Sequence, residues 1–549
     1  MVSGTEVLII QELSIILIAS LLLNRFANVK NLDPLIIIAI IAAWTVSINV
    51  VILLPLDVSV TLYEQCMSRT QEATVNSSVQ TFLECGRPWN YIPKDRIVVF
   101  WRIFYWCAFV FSWIVLPFLQ SYNNSAHFTT GGRLRTAVIN NALYYLSLLF
   151  IFLVILFYVI TSPKFKGITI WNLRSILTAA ANTWGLIFLV LLAGNGLIAL
   201  PRSWHESFDP RRTYFHLSKL NDEKTVNLAE LSELVKEISE YAKRISPQHP
   251  TLHWRLKTII KKLPVHYRNE INQSVLNQQG CLGRQDVSGP DVTRNELIAL
   301  HKRTIKAVMT KNRVTALWQQ KLDEAMLLED IEFCQGSKSQ LWRPKYSKKN
   351  FTGFPKFDYF WFCRWRNQIR RTALLLLCVA SFLVIWSECT FFIQKFPISL
   401  FALALQILDN LKQYFLTEIL CTLIVAYIAV CAYYTLFNIR FFNVFYIAKR
   451  HTDANSLLFI SIMMCRVGAS LSLNIISMLH LDKHVITEKG FEDETAFTQL
   501  MGHLDVLDGF KKAMYLYFPI LVCFISFVTY KKFASRLANS IGFFQFFDS

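Results

Sequence analysis

A chain of 549 residues that is 53% hydrophobic, carries 43 Phe and has a positive mean hydropathy holds more long apolar runs than a soluble enzyme of ordinary make. It is also basic, with 56 Lys and Arg against 38 Asp and Glu and a net charge of +18. This composition excludes an ordinary globular domain and describes an all-α, polytopic transmembrane helical bundle.

About 17 to 25 mostly apolar residues are needed to cross the hydrocarbon core as α-helix, and nine such runs are read here: 7–23, 35–54, 97–119, 142–160, 183–200, 372–393, 413–437, 456–479 and 513–530. No Lys or Arg precedes the first, which argues against a cleaved signal peptide and predicts a retained helix with its N-terminus outside. Between the fifth and sixth runs, residues 204–371 hold 30 Lys and Arg against 18 Asp and Glu, so +12 of the charge sits in one polar block. The positive-inside tendency makes that block cytosolic. The chain thus divides into a first membrane block (1–203, with an outer loop at 57–96), a basic cytosolic helical or coiled-coil block (204–371), and a second membrane block with a short cytosolic tail (372–549). On this count Arg133, Arg135, Arg440, Lys449, Arg450, Lys531 and Lys532 lie inside, while Lys164, Lys166 and Arg174 fall in an outer loop.

Pro55–Ser59, PLDVS, reads as the end of the second helix, with Asp57 at the water interface. In the loop that follows, Cys66 and Cys85 are the only two of twelve cysteines in a hydrophilic outer segment, so a disulfide between them is expected. Asn76, Ser77 and Ser78 form a glycosylation acceptor pattern. Similar patterns at Asn123, Asn272 and Asn350 fall on the cytoplasmic side, which leaves Asn76 as the one modifiable site.

Ionisable residues inside a membrane are expensive and often functional. Arg466 lies near the middle of its run, too deep for easy snorkelling; an ion pair with Glu418 is the preferred account, with Glu12 and Glu388 as competing partners. A purely structural pair outweighs a ligand or ion path. Gly194, Asn195 and Gly196 favour close helix packing over a transporter-type helix break. The apolar stretch 396–408 is too short to span and suits an interfacial or re-entrant position.

In the polar block, Leu228, Leu231, Val235, Ile238, Ala242 and Ile245 recur at steps of three and four, the pattern of a short coiled coil or one face of a helical hairpin. So short a seam needs a partner, and 295–333 is the expected one, although Lys311 and Asn312 interrupt its apolar stripe. Leu252, Leu256, Ile259, Ile260 and Leu263 alternate with Arg255, Lys257, Lys261 and Lys262 in a basic amphipathic helix. It suits either an anionic leaflet or a face packed on the hairpin. Residues 278–293 read as a flexible loop, and Phe357, Tyr359, Trp361, Arg364, Trp365, Arg366 and Arg370 as an interfacial anchor.

Several stretches together carry a family resemblance: PLDVS at 55–59, FSWIVLPFLQSY at 111–122, ANTWG at 181–185, IALPRSW at 198–204, TDANSLLF at 452–459, FTQLMGHLDV at 497–506 and IGFFQFF at 541–547. They resemble the limb-region-1-like membrane family, across both membrane blocks and more loosely in the polar one. That resemblance implies nine helices, an outer N-terminus and a large cytosolic loop. Its matching branch implies a receptor-like protein or signalling regulator in an adrenergic-type G-protein-coupled receptor setting, with the receptor or its regulators meeting residues 204–371. Other relatives imply the alternative, a transporter or uptake receptor for a small ligand or a lipocalin-type carrier. The plasma membrane is the expected location, an endomembrane the second.

No Gly-rich phosphate loop, His-Glu-x-x-His zinc site, Gly-x-Ser-x-Gly elbow or kinase signature is present in the sequence, so neither an enzyme nor a cofactor is expected. His480, His484 and His503 lack metal spacing. Basic charge in a membrane-tethered loop follows from topology and lipid attraction, and no nucleic acid is expected.

Overall fold

The computed structural model describes residues 4–76, 85–161, 173–206, 209–245, 249–281, 292–336, 341–347, 354–390, 399–441, 447–479, 495–501, 508–531 and 544–546. In chain order the membrane helices of the first part are α1 (Gly4–Phe26), α2 (Pro34–Asn76), α3 (Lys94–Val110), α4 (Leu116–Asn124), α5 (Thr130–Thr161) and α6 (Leu173–Glu206). The polar block contains α7 (Pro210–Arg244), α8 (Pro250–Lys262), α9 (Val265–Cys281) and α10 (Arg294–Gly336). The last part contains α11 (Pro355–Tyr359), α12 (Arg366–Thr390), α13 (Leu400–Asn410), α14 (Tyr414–Asn438), α15 (Ala454–Met478), α16 (Ala496–Met501) and α17 (Asp508–Tyr530). Two π-helical turns, Phe111–Val115 and Phe360–Trp365, fuse α3 to α4 and α11 to α12.

The all-helical polytopic class is as expected. Among the described residues eight helices are long and apolar enough to cross a membrane, and the ninth expected run coincides with α17, whose described apolar part is Phe518–Tyr530. The second expectation fails at Pro55: α2 does not end at PLDVS but runs on to Asn76. Proline removes one helical hydrogen bond, and here the helix tolerates that loss because Leu53, Leu54, Leu56 and Val58 are all buried in the bundle core. The loop drawn as 57–96 is correspondingly shorter.

The core lies where α2, α6, α14 and α15 pack together. Trp44, fully buried on α2, donates from Nε1 to Ser461 Oγ of α15 at 2.8 Å. Helix α6 runs unbroken through Gly194, Asn195 and Gly196, as the packing reading requires. A Cβ at Gly196 would fall on the Cys431 carbonyl oxygen of α14, and one at Gly194 would crowd Ile525 of α17. Small residues let these backbones approach. The Asn195 side-chain oxygen accepts from Thr529 Oγ1 at 3.1 Å, and Arg202 donates to the last carbonyls of α17 at Thr529 and Tyr530. A cation there also complements the negative end of that helix.

Helices α7 and α10 form the expected hairpin. Leu231, Val235, Ile238 and Ile245 of the expected seam are buried with Leu297 and Leu300 of α10, while Leu228 and Ala242 are half-buried and Leu234 joins the core. The apolar side of α8 settles the open choice for this helix: Leu256, Ile259 and Leu263 are buried in the same cluster, so that face packs on the hairpin. Helix α10 continues without a break through Lys311 and Asn312. At 399–410, Ser399 caps the short α13, which packs against α14 through buried Leu405. A strand pair, Ile439–Phe441 with Phe544–Phe546, is antiparallel and ties the end of α14 to the last described residues. His480, His484, His503, Ser77, Ser78 and Asn350 lie outside the described residues.

Candidate functional site

Arg466 sits midway along α15, and its surroundings follow from one proline. Pro117 has no N–H, so the carbonyl of Trp113, four residues earlier, loses its helical donor; the Tyr145 hydroxyl of α5 donates to it instead. One turn earlier the backbone widens, Leu116 N bonding to Phe111 O across a π turn, a feature frequent at functional sites. That leaves the Ser112 carbonyl for Arg466, whose Nη2 approaches it at 3.5 Å. The guanidinium lies over the Trp113 ring, 4.6 Å from its centroid. From the other side α6 comes so close at Gly185 that a Cβ would strike Ser470 Oγ and the Arg466 carbonyl oxygen.

The expected ion pair is therefore not formed. Glu418 lies one turn into α14 and faces Trp89 and Asn90. Nor do the competing carboxylates reach Arg466. Glu12 accepts from Asn49 Nδ2 at 2.7 Å, and Glu388, fully buried, accepts from Asn474 Nδ2 at 3.0 Å. Each carboxylate within the bundle has an amide or indole neighbour, and the arginine has an aromatic one.

Asp57 was assigned to the water interface by its sequence position; the structure buries it completely. Its carboxylate accepts from Trp101 Nε1 and from the backbone N–H groups of Ala496 and Phe497, each at 2.9 Å. It thus caps the first turn of α16, where a negative charge is favoured, and the Phe497 ring packs edge-on against Trp101 at 4.8 Å. Two of the resemblance stretches, PLDVS and FTQLM, are joined by this one side chain. Near this end of the bundle the Cα atoms of Cys66 and Cys85 lie 6.2 Å apart and their sulfurs are bonded. Asn76 is the last residue of α2, and its side chain lies outside the description.

At the opposite end the polar block is clamped to the bundle. Asp453 caps α15, accepting from Ser456 N at 3.1 Å and from Ser456 Oγ at 2.7 Å. Its Oδ1 also pairs with Arg313 Nη1 of α10 at 3.2 Å, with both side chains largely buried. Arg313 is why the apolar stripe of α10 breaks at 311–313: that turn faces a membrane helix end instead of the hairpin. Beside it Asn123 Nδ2, at the end of α4, donates to Asn455 Oδ1 at 2.8 Å. His301 of α10 donates from Nδ1 to the Ala126 carbonyl at 2.8 Å and stacks on Phe128 at 4.7 Å. The helix that carries the stretch 111–122 ends here against the stretch 452–459, so the sequence resemblance marks a built junction.

Lower in the block, fully buried Asp330 accepts from the backbone N–H groups of Lys345, Tyr346 and Ser347 at 2.7, 3.0 and 2.6 Å. Burial alone would raise its pKa, but these donors hold it below the usual carboxylate value. Neither Arg313 nor Asp330 was singled out by the sequence. The only sequence signal was a charge breaking an apolar stripe.

The description "LMBR1-like membrane protein" matches residues 5–534. The chain is 36% identical over 550 residues to a Gallus gallus protein named "G-protein coupled receptor-associated protein LMBRD2", covering 96% of this chain and 78% of that one. It is 34% identical over 558 residues to the Homo sapiens protein of the same name, covering 96% and 79%. A Drosophila melanogaster protein named "LMBR1 domain-containing protein 2 homolog" is 31% identical over 553 residues, covering 96% and 78%. No solved structure matches the chain.

Proposed function

Because the chain belongs to the LMBR1-like membrane protein family, we propose that it is a multi-pass regulator at the plasma membrane that associates with adrenergic-type G-protein-coupled receptors through its polar block. The names of the relatives that match nearly the whole chain carry this reading. The placement of the block supports it: α10, packed on α7, is held to the start of α15 by Arg313 and Asp453. On this reading residues 204–371 are cytosolic, the opposite end faces outside with a glycan on Asn76, and the protein has no catalysis of its own.

Co-purification of the full-length chain from cells expressing either an adrenergic-type receptor or a peptide receptor tests the proposal. Enrichment with the adrenergic-type receptor is expected. Equal enrichment with both would remove the adrenergic specificity, and none with either would overturn receptor association.

A further inference from the structure

Arg466 lies twelve residues from either end of α15, about 18 Å of helix each way, and so in the middle of a hydrocarbon core about 30 Å thick. Its guanidinium carries five N–H donors and uses few of them. Trp113 covers one face, and the Ser112 carbonyl takes one hydrogen from Nη2 at 3.5 Å. Among the described residues no carboxylate and no other acceptor meets it. Nε is enclosed by protein, but Nη1 is open to the outside of the bundle, and the residue as a whole is only half-buried. Ring and carbonyl spread the positive charge without cancelling it, and the free edge of the guanidinium faces outward at mid-span.

The surface around that edge is apolar. Helix α5 packs on α4 and leaves Leu143 and Tyr144 exposed, next to the Tyr145 whose hydroxyl reaches the Trp113 carbonyl. The π turn itself leaves Ile114 exposed. On the other side the close approach of Gly185 to the Arg466 carbonyl sets Trp184 and Ile187 of α6 near the same height; both are exposed, and the Trp184 ring meets Phe188 edge-on at 5.5 Å. Such walls suit a hydrocarbon chain, whereas a hydrated inorganic ion would lose its water here with little to replace it. A cation without a counter-charge, set in an apolar and aromatic frame, is the complement of an anion carried on a long apolar tail.

We propose that Arg466 binds the carboxylate of a lipophilic acid, a long-chain fatty acid in chemical class, that enters sideways from the bilayer. The two carboxylate oxygens accept from Nη1 and from the free hydrogen of Nη2, the fork-to-fork pairing that a guanidinium offers a carboxylate. The acyl chain lies along the exposed side chains of α5, the π turn and α6. In surroundings of low dielectric the pair is held far more strongly than in water. This site is separate from the polar block and does not depend on receptor association.

The full-length chain in phosphatidylcholine nanodiscs would be photolabelled with a diazirine-bearing palmitic acid, in competition with oleate or with methyl oleate. Oleate is expected to suppress the labelling, and methyl oleate, the same chain without the charge, to compete roughly tenfold or more weakly, the scale of hydrogen bonds to a charged group. Arg466→Gln is expected to reduce labelling by a similar factor. Arg135→Gln, which removes an exposed cation at the start of α5, is expected to leave it unchanged. The comparison of acid with ester uses the unaltered chain, so it decides the matter even if Arg466→Gln misfolds. No labelling that oleate suppresses, equal competition by acid and ester, undiminished labelling of a folded Arg466→Gln, or equal loss from Arg135→Gln would overturn the proposal.

Discussion

Burying a guanidinium at mid-span costs on the order of 3 kcal/mol even on lenient insertion scales, and Arg466 meets that cost with the Trp113 ring and a carbonyl freed by a π turn. A desolvated cation–π contact contributes about 2 kcal/mol. A double-mutant cycle of Arg466→Met with Trp113→Leu, read by denaturation in detergent, should return a coupling of about that size. The cycle of Arg466→Met with Glu418→Gln should return almost none. The reverse ranking would restore the carboxylate pair. Asp330 makes a second prediction, with pH as the variable. Its folded pKa is depressed, so its contribution is full above the unfolded aspartate value and disappears as pH falls through the lower folded value. Hydrogen exchange at Lys345, Tyr346 and Ser347 should stay slow at neutral pH and rise only in acid below the ordinary aspartate range. Asp330→Asn should release the same three amides at neutral pH, at a cost on the order of 2 kcal/mol. Unchanged exchange in that variant would show that the segment is held by something else.

At the scale of the element, prolines inside helices set where neighbours attach. Pro201 frees the Leu197 carbonyl of α6 as Pro117 frees that of Trp113, and Ser381 Oγ of α12 donates to it at 2.6 Å. Within a bilayer no water replaces a missing donor. Ser381→Ala should therefore cost about 1–3 kcal/mol by leaving a buried carbonyl unpaired. Adding Pro201→Ala, which returns a backbone N–H within α6, should recover part of that loss; no recovery would mean that Ser381 acts through packing alone. Helices of this kind are legible in sequence because hydropathy and the period of 3.6 are local properties. The seam at Leu231, Val235 and Ile238 was read that way, while the bonded Cys66 and Cys85 were read from their place in a hydrophilic loop and the packing role of Gly194 and Gly196 from their size. Asp57 was misread because its partners are 439 and 440 residues away, and Pro55 was taken as a stop because nothing local records the packing that carries α2 past it. The Arg466 expectation failed for the same reason: depth along two helices can be counted, but which faces meet cannot.

For the whole molecule, four of the seven resemblance stretches, lying between positions 55 and 506, meet in pairs: PLDVS with FTQLM around Asp57, and FSWIVLPFLQSY, whose helix continues to Asn123, with TDANSLLF at the junction. The junction holds α10 to α15 through Arg313 and Asp453, which are 140 residues apart in the chain, so the polar block has a fixed seat on the membrane helices. The central claim, that this block meets the receptor, is tested most directly by a photo-crosslinking amino acid placed in the full-length chain in cells. One position is Val226 on α7, which is 67% exposed, and the other is Trp89 at the opposite end of the bundle, which is 50% exposed. Capture of an adrenergic-type receptor from position 226 and not from position 89 is the predicted result, and capture from position 89 alone would contradict the account.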